Sequence, residues 1–120
     1  MKIKTLDPQA LEGVSRIFKA LCEPIRLRIL QELQESERTV SDLCAAVGTS
    51  QPNLSKHLKL LVDAHLLRRR QEGNSAYYSI ADPMVHQLCE MICKGIQKRL
   101  DQQVRIYSSA HRAPRKSRAS

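Results

Sequence analysis

The chain has 120 residues, 42% hydrophobic and 3% aromatic, with one Phe and no Trp. That length suits one domain with a small aliphatic core, which leaves room for burial against a second subunit. Lysine and arginine outnumber acidic residues 20 to 12, giving a net charge of +8, so a polyanion is the expected partner, nucleic acid ahead of a membrane surface.

The opening "MKIKTLDPQALEGV" is charged and lacks an apolar signal-peptide core. No apolar run approaches the ~18 residues of a membrane span. A cytoplasmic protein is expected, with Cys22, Cys44, Cys89 and Cys93 as thiols rather than structural disulfides. "DPQALEGVSRIFKALC" reads as a first helix, with Asp7 as N-cap, Pro8 in the first position, and Leu11, Val14, Phe18 and Leu21 at helical spacing. "EPIRLRILQELQ" is a second helix opened by Pro24. Its dense apolar positions Ile25, Leu27, Ile29, Leu30 and Leu33 predict a central, largely buried element, ended by "ESERT". "TVSDLCAAVG" is a short third helix, capped by Thr39 with Asp42 following, and closed by Gly48.

"TSQPNLSKHLKLLVDAH" forms a fourth helix, with Ser50 as N-cap and a stripe of Leu54, Leu58, Leu61 and Val62. "LLRRRQEGNSAYYSI" predicts two short strands, about Leu66–Gln71 and Ser75–Ile80, around a tight Gly73-Asn74 turn. "ADPMVHQLCEMICKGIQKRLDQQV" is a long last helix, with Asp82 as cap and Pro83 in the first position. Residues 1–104 are therefore expected to form one domain. Residues 105–120 are expected to form a basic, disordered tail in which Arg112, Arg115, Lys116 and Arg118 add phosphate attraction.

The third and fourth helices, joined by "VGTS", make a helix-turn-helix, whose second helix enters the major groove. The polar face of that helix is expected to present Gln51, Asn53, Ser55, Lys56, His57 and Lys59. Gln and Asn pair with adenine edges, Ser reaches bases or phosphates, and Lys reaches guanine or phosphate. An ordinary solvated amphipathic helix would look similar. The basic hairpin that follows favours DNA. It reads as a wing, with Arg68, Arg69 and Arg70 on one strand and Asn74 and Ser75 at the tip. Strand alternation puts Arg69 on the face opposite Arg68 and Arg70, and separates Tyr77 from Tyr78, one of which is expected to pack on the helices. The fold class is mainly α: five helices with a two-stranded wing.

The stretches "ALCEPIRLRILQEL" and "TVSDLCAAVGTSQPNLSKHLKLLVDAHLLRRRQEGNSAYYSI", with the last helix, resemble the ArsR/SmtB family of winged-helix repressors over about Val14 to Leu100. The resemblance implies a homodimer, joined through the first and last helices. It implies binding to an inverted-repeat operator in double-stranded DNA and departure when an inducer binds. It makes Gln51, Ser55 and Lys56 the leading groove readers and has the wing around Arg70 to Ser75 grip the flanking backbone; with the hairpin reading, Arg68, Arg70, Asn74 and Ser75 are the candidate wing contacts. Two inducer sites of the family are missing. Where arsenic-responsive members carry "ELCVCDL", this chain has "ERTVSDL", with Thr39 and Ser41 in the thiol positions. Zinc-responsive members draw four ligands from the last helix. The matching positions here are Asp82, Met84, Gly95 and Lys98, which cannot form that site.

Cys89 and Cys93 remain, one helical turn apart. At about 100° per residue, Val85, Leu88, Ile92 and Ile96 define the buried stripe, with Cys89 inside it and Cys93 at its edge. Two thiolates at this spacing suit trivalent arsenic or another thiophilic ion, or zinc or cadmium if His86 or Glu90 joins, with Cys22 as a candidate third thiol. Oxidation or a reactive sulfur species is an alternative signal. A disulfide within the intact helix would be strained. The plainer reading makes the cysteines packing residues, the role expected of Cys44, in a DNA-binding regulator or architectural binder that has no inducer. No nucleophile–base–acid set or phosphate-cradling loop is present, so an enzyme is not expected, and no cofactor is required.

Overall fold

The computed structural model describes residues 5–110. Five helices, α1 (Pro8–Ala20), α2 (Pro24–Glu32), α3 (Val40–Val47), α4 (Gln51–Asp63) and α5 (Pro83–Ala110), accompany strands β1 (Arg38–Thr39), β2 (Leu67–Glu72) and β3 (Ser75–Ile80). The strands form one antiparallel sheet in the order β1-β3-β2. The architecture is a winged helix-turn-helix. Two compact units meet within α5, the first ending at His86 and the second beginning at Gln87.

Helix starts follow local chemistry. Asp7 accepts from the Ala10 N–H at 2.8 Å, Thr39 from Asp42 at 3.2 Å and Ser50 from Asn53 at 3.3 Å. Each side-chain oxygen satisfies an amide that the first turn leaves unpaired. Asp82 does the same for the Met84 N–H at 2.9 Å. Helices α3 and α4 end on left-handed residues. Gly48, at φ 78, closes α3 with its N–H on the Cys44 carbonyl at 2.8 Å. After α4, His65 takes φ 63, donating to Val62, while Leu66 donates to Leu61. That pair of bonds is a Schellman closure, with His where glycine is usual.

The core of the first unit is aliphatic. Ile29, Leu43, Leu54, Leu58, Leu61 and Val85 are fully buried, joined by Leu30, Leu33, Leu66 and Leu67. The α4 stripe matches its sequence pattern. Helix α2 does not match as a largely buried element: Leu27 is exposed and Ile25 half-buried, while Arg26 is buried. Its inward row is Arg26, Ile29, Leu30 and Leu33, spaced as a single helical face.

The wing has a third strand that was not expected. Arg38 pairs with Tyr78 and Thr39 with Tyr77, and the Arg38 Nε–H donates to the Glu32 carbonyl at 2.9 Å. This locks the end of α2 to the sheet edge. Two residues are too few to show an alternating pattern. In the hairpin Glu72 faces Ser75 across Gly73-Asn74. The positive φ falls on Gly73 and not on Asn74, as in turns with glycine in the first central position. Tyr78 is buried, Tyr77 only partly.

Helix α5 continues through residues 105–110, the start of the expected tail. Arg112, Arg115, Lys116 and Arg118 lie outside the described residues.

A left-handed non-glycine residue costs about 1–2 kcal/mol, so the two helix ends should respond oppositely. Gly48→Ala should lower the unfolding free energy by about 1 kcal/mol and His65→Gly should raise it by a similar amount, as read from urea midpoints at constant slope.

Candidate nucleic-acid interface and thiol pair

Burial of Leu54, Leu58 and Leu61 fixes the rotation of α4 about its axis. Gln51, Ser55, Lys56 and Lys59 are consequently exposed on the other side. Asn53 is half-buried, and its Nδ2 donates to the Thr49 hydroxyl at 2.9 Å, so its amide braces the turn between α3 and α4. Lys59 pairs with Asp63 at 3.0 Å. His57 corrects the expected polar face: it is 9% exposed and lies on the inner side. The sequence carried the signal, because His57 follows Leu54 by three residues and precedes Leu61 by four, on the apolar stripe. Burial, then the charges of Arg26 and Lys56, hold its imidazole below the ordinary histidine value.

The wing arginines are not equivalent. The register sets Arg69 opposite Tyr78 and Arg70 opposite Tyr77, so Arg68 and Arg70 share one face and Arg69 the other. Arg70 is clamped. Its Nη2 donates to Glu37 at 2.6 Å and its Nη1 to Glu72 at 3.0 Å, and the guanidinium lies 4.6 Å from the Tyr77 ring centroid. The hydrogen bonds that Arg70 donates to Glu37 and Glu72 push the Arg70 pKa up, and the bond between Arg70 and Glu37 draws Glu37 down. Arg69 donates to Gln71 at 2.6 Å. Arg68, Asn74 and Ser75 are exposed, and among the described residues Arg68 has no ion-pair partner. Sequence reasoning missed Glu37 because the contact spans 33 residues and depends on the β1–β3 pairing.

In the second unit, Cys89 is half-buried and Cys93 exposed. Burial first, and then the neighbouring Cys93 sulfur, push the Cys89 thiol above its ordinary value. Among the described residues no three of His, Cys, Asp or Glu gather into a ligand set. Cys22, in the first unit, is exposed and donates its thiol hydrogen to the Lys19 carbonyl at 3.0 Å. Cys44 is half-buried on α3. Met91, Ile92, Ile96, Leu100 and Val104 of the second unit are exposed, as are Leu11, Val14 and Phe18 of α1. Of the stripe expected to be buried on α5, Val85 is buried and Leu88 half-buried, while Ile92 and Ile96 are exposed among the described residues.

Known proteins are similar to this chain in sequence and fold. The model for bacterial regulatory proteins of the ArsR family matches residues 23–69. The arsenical resistance operon repressor of Bacillus subtilis is 38% identical over 93 residues, 76% of this chain and 89% of that protein. The chain belongs to the ArsR family. A probable mercury resistance operon repressor of Streptomyces lividans is 40% identical over 77 residues, 64% of this chain. The match spans 62% of that relative's length. The homodimeric winged helix-turn-helix DNA-binding domain from Mycobacterium bovis superposes with a TM-score of 0.67 at 28% identity, covering 97% of this chain and 100% of that one. As an ArsR-family member the chain is a winged-helix transcription regulator and not an enzyme. No described helix is long and apolar enough to cross a membrane.

The buried His57 has a consequence for stability. Its folded pKa lies below the unfolded value of about 6.5, so between the two the unfolded chain binds more protons. Stability should be intact above about pH 6.5 and fall as pH drops through the window down to the folded value. His57→Gln should flatten that fall in urea titrations between neutral and mildly acidic pH; an unchanged slope would remove His57 as its source.

Proposed function

We propose that the protein is a transcriptional repressor that binds an inverted-repeat operator in double-stranded DNA as a homodimer. A thiophilic inducer at Cys89 and Cys93 releases it. The observation that carries the DNA reading is the outward face of α4. Gln51, Ser55 and Lys56 stand exposed beyond a Ser50 cap, at the helix end that enters the groove in this fold. Gln51 and Ser55 read base edges. Lys56, Arg68, Asn74 and Ser75 hold backbone phosphates, Asn53 braces the turn, and Arg70 reaches phosphate by exchanging its carboxylate partners.

Two exposed apolar stripes support the homodimer. One is Leu11, Val14 and Phe18 on α1, and the other is Met91, Ile92, Ile96 and Leu100 on α5. Contiguous apolar rows of this kind on a small regulator are covered by a second copy. The homodimeric Mycobacterium bovis domain supports the same assembly.

The inducer is inferred from the thiols. The Bacillus subtilis relative is named for arsenical resistance and the Streptomyces lividans relative for mercury resistance, and thiolates are ligands for such soft ions. The chain supplies two thiols on one turn of α5, and a further ligand would come from a second copy. The inducer need only bind the DNA-incompatible form better by the ~1–3 kcal/mol of ordinary allosteric coupling. One observation favours a second reading, a regulator without an inducer whose cysteines only pack: burial raises the Cys89 pKa and so lowers the supply of thiolate.

Gln51→Ala should weaken operator binding by about 1–3 kcal/mol and random-DNA binding by less, in paired titrations at one salt concentration. Equal losses on both would show that Gln51 does not read sequence.

Serine at both Cys89 and Cys93 should leave operator affinity unchanged and abolish release by arsenite or mercuric ion, while serine at Cys44 should do neither. Because the bound form is thiolate and the Cys89 pKa is raised, inducer affinity should strengthen as pH rises toward and past the ordinary thiol value of about 8.5. Release by these ions from the double variant would assign the cysteines to packing.

A further inference from the structure

Arg26 stands where the inward row of α2 leads one to expect an aliphatic side chain. It is 9% exposed, its Nη1 donates to the Lys19 and Ala20 carbonyls at 3.3 Å each, and its Nε is buried without a partner. The Lys19 carbonyl also accepts from the Cys22 N–H at 3.3 Å and from the Cys22 thiol at 3.0 Å, so the Nη1 bond adds most at Ala20. The two Nη1 bonds do not complete the guanidinium, and a buried donor left without a partner is costly.

Beside Arg26, a cavity of about 400 Å³ opens between α1 and α4. Its volume lies in the range of small-ligand sites, and its lining has two characters. Arg16, Lys19 and Arg26 supply three cations, while Ala20, Leu60 and Ala64 supply an apolar wall. The acidic group on the lining is Asp63, whose carboxylate is held by Lys59 at 3.0 Å. Arg16 is only loosely engaged, at 3.6 Å from Glu12 on an exposed surface, and Lys19 has no ion-pair partner among the described residues. An anion entering here would meet Lys19 and Arg26, which have no carboxylate partner among the described residues, and Arg16, whose exposed pair with Glu12 gives up little on exchange.

DNA phosphate does not fit as the occupant. Leu60 and Asp63 follow Gln51 by nine and twelve residues in α4, about 14–18 Å along the axis at 1.5 Å per residue. The cavity is therefore at the end of α4 away from the groove-facing first turn. The apolar wall would also go unused by a bare phosphate.

We propose that the α1–α4 cavity binds a small organic anion, a carboxylate carried on an apolar body. The carboxylate meets Arg16, Lys19 and Arg26, and the body lies over Leu60, Ala20 and Ala64. The site is independent of the thiol pair and of the operator.

The test uses the full chain without DNA, at constant ionic strength, with benzoate and inorganic phosphate as probes. Benzoate should shift the amide resonances of Ala20, Leu60 and Ala64 saturably and raise the thermal midpoint. Replacing the exposed side chains by Lys19→Gln or Arg16→Gln should each weaken benzoate about tenfold, the loss of one charge-assisted contact. Leu60→Ser should weaken benzoate and leave any phosphate binding unchanged. The proposal is overturned if benzoate gives no saturable shift at these residues, if the Arg16→Gln/Lys19→Gln double variant binds it as well as the parent, or if phosphate binds as tightly as benzoate.

Discussion

Three leucines on one face of α4, Leu54, Leu58 and Leu61, are fully buried, and the placement of the exposed polar residues depends on them. Each contributes roughly 1.5–3 kcal/mol on burial, against the ~0.2–1 kcal/mol of an exposed ion pair such as Lys59–Asp63. The apolar face therefore decides the rotation of the helix, and the polar side chains take the remaining directions. Gln51, Ser55 and Lys56 face solvent because Leu54 and Leu58 cannot. His57 is drawn inward by the same rule, since its position belongs to the stripe even though its chemistry is polar. The ends of α4 add two further constraints. Ser50 sets where the helix begins, and the left-handed His65 sends the chain into β2 within two residues.

A core built this way is small. With no Trp and one Phe, exposed at 54%, the chain has few side chains that bury a large area at once. Most of its exposed large apolar residues lie in rows on α1 and α5, while Leu6, Leu27 and Leu60 stand apart. Scattered exposed leucines need no explanation, but ordered rows do. The same economy explains Arg26. Its guanidinium crosses to the carbonyls of α1, so a polar side chain ties together two helices that an aliphatic residue would join only by contact.

What was legible in the sequence followed from local chemistry. Asp7, Thr39, Ser50 and Asp82 begin helices because a side-chain oxygen three or fewer residues away satisfies an amide. The leucine stripe of α4, the wing hairpin and its alternating faces came from periods of 3.6 and 2. The features that were missed depend on contacts across the chain. Strand β1 is two residues long and exists because Tyr77 and Tyr78 offer an edge. Glu37 finds Arg70 only once that edge is in place. His57 was legible in position and misread by residue type: the stripe said inward, and the imidazole suggested outward. The proposed groove readers and thiol site rest on side-chain chemistry and resemblance, and the partners proposed for them lie outside the chain.

The formal charge of +8 overstates what α4 and the wing present to a polyanion. Arg70 is shared between Glu37 and Glu72, and Lys59 is paired with Asp63. Lys56, Arg68 and Arg69 are the cations of these elements with no carboxylate partner among the described residues. Counterion release scales with the phosphates neutralised, not with the charge summed over the chain. The pairing of Arg70 is not permanent, since Glu37, Glu72 and Arg70 all keep solvent access, and exposed pairs give up little when exchanged for phosphate. Engaging Arg70 with DNA would nevertheless release two carboxylates beside a polyanion, a repulsion that Arg68 does not carry. Two arginines on the same strand and the same face are thus unequal, and the difference arises in the α2–β1 loop that positions Glu37.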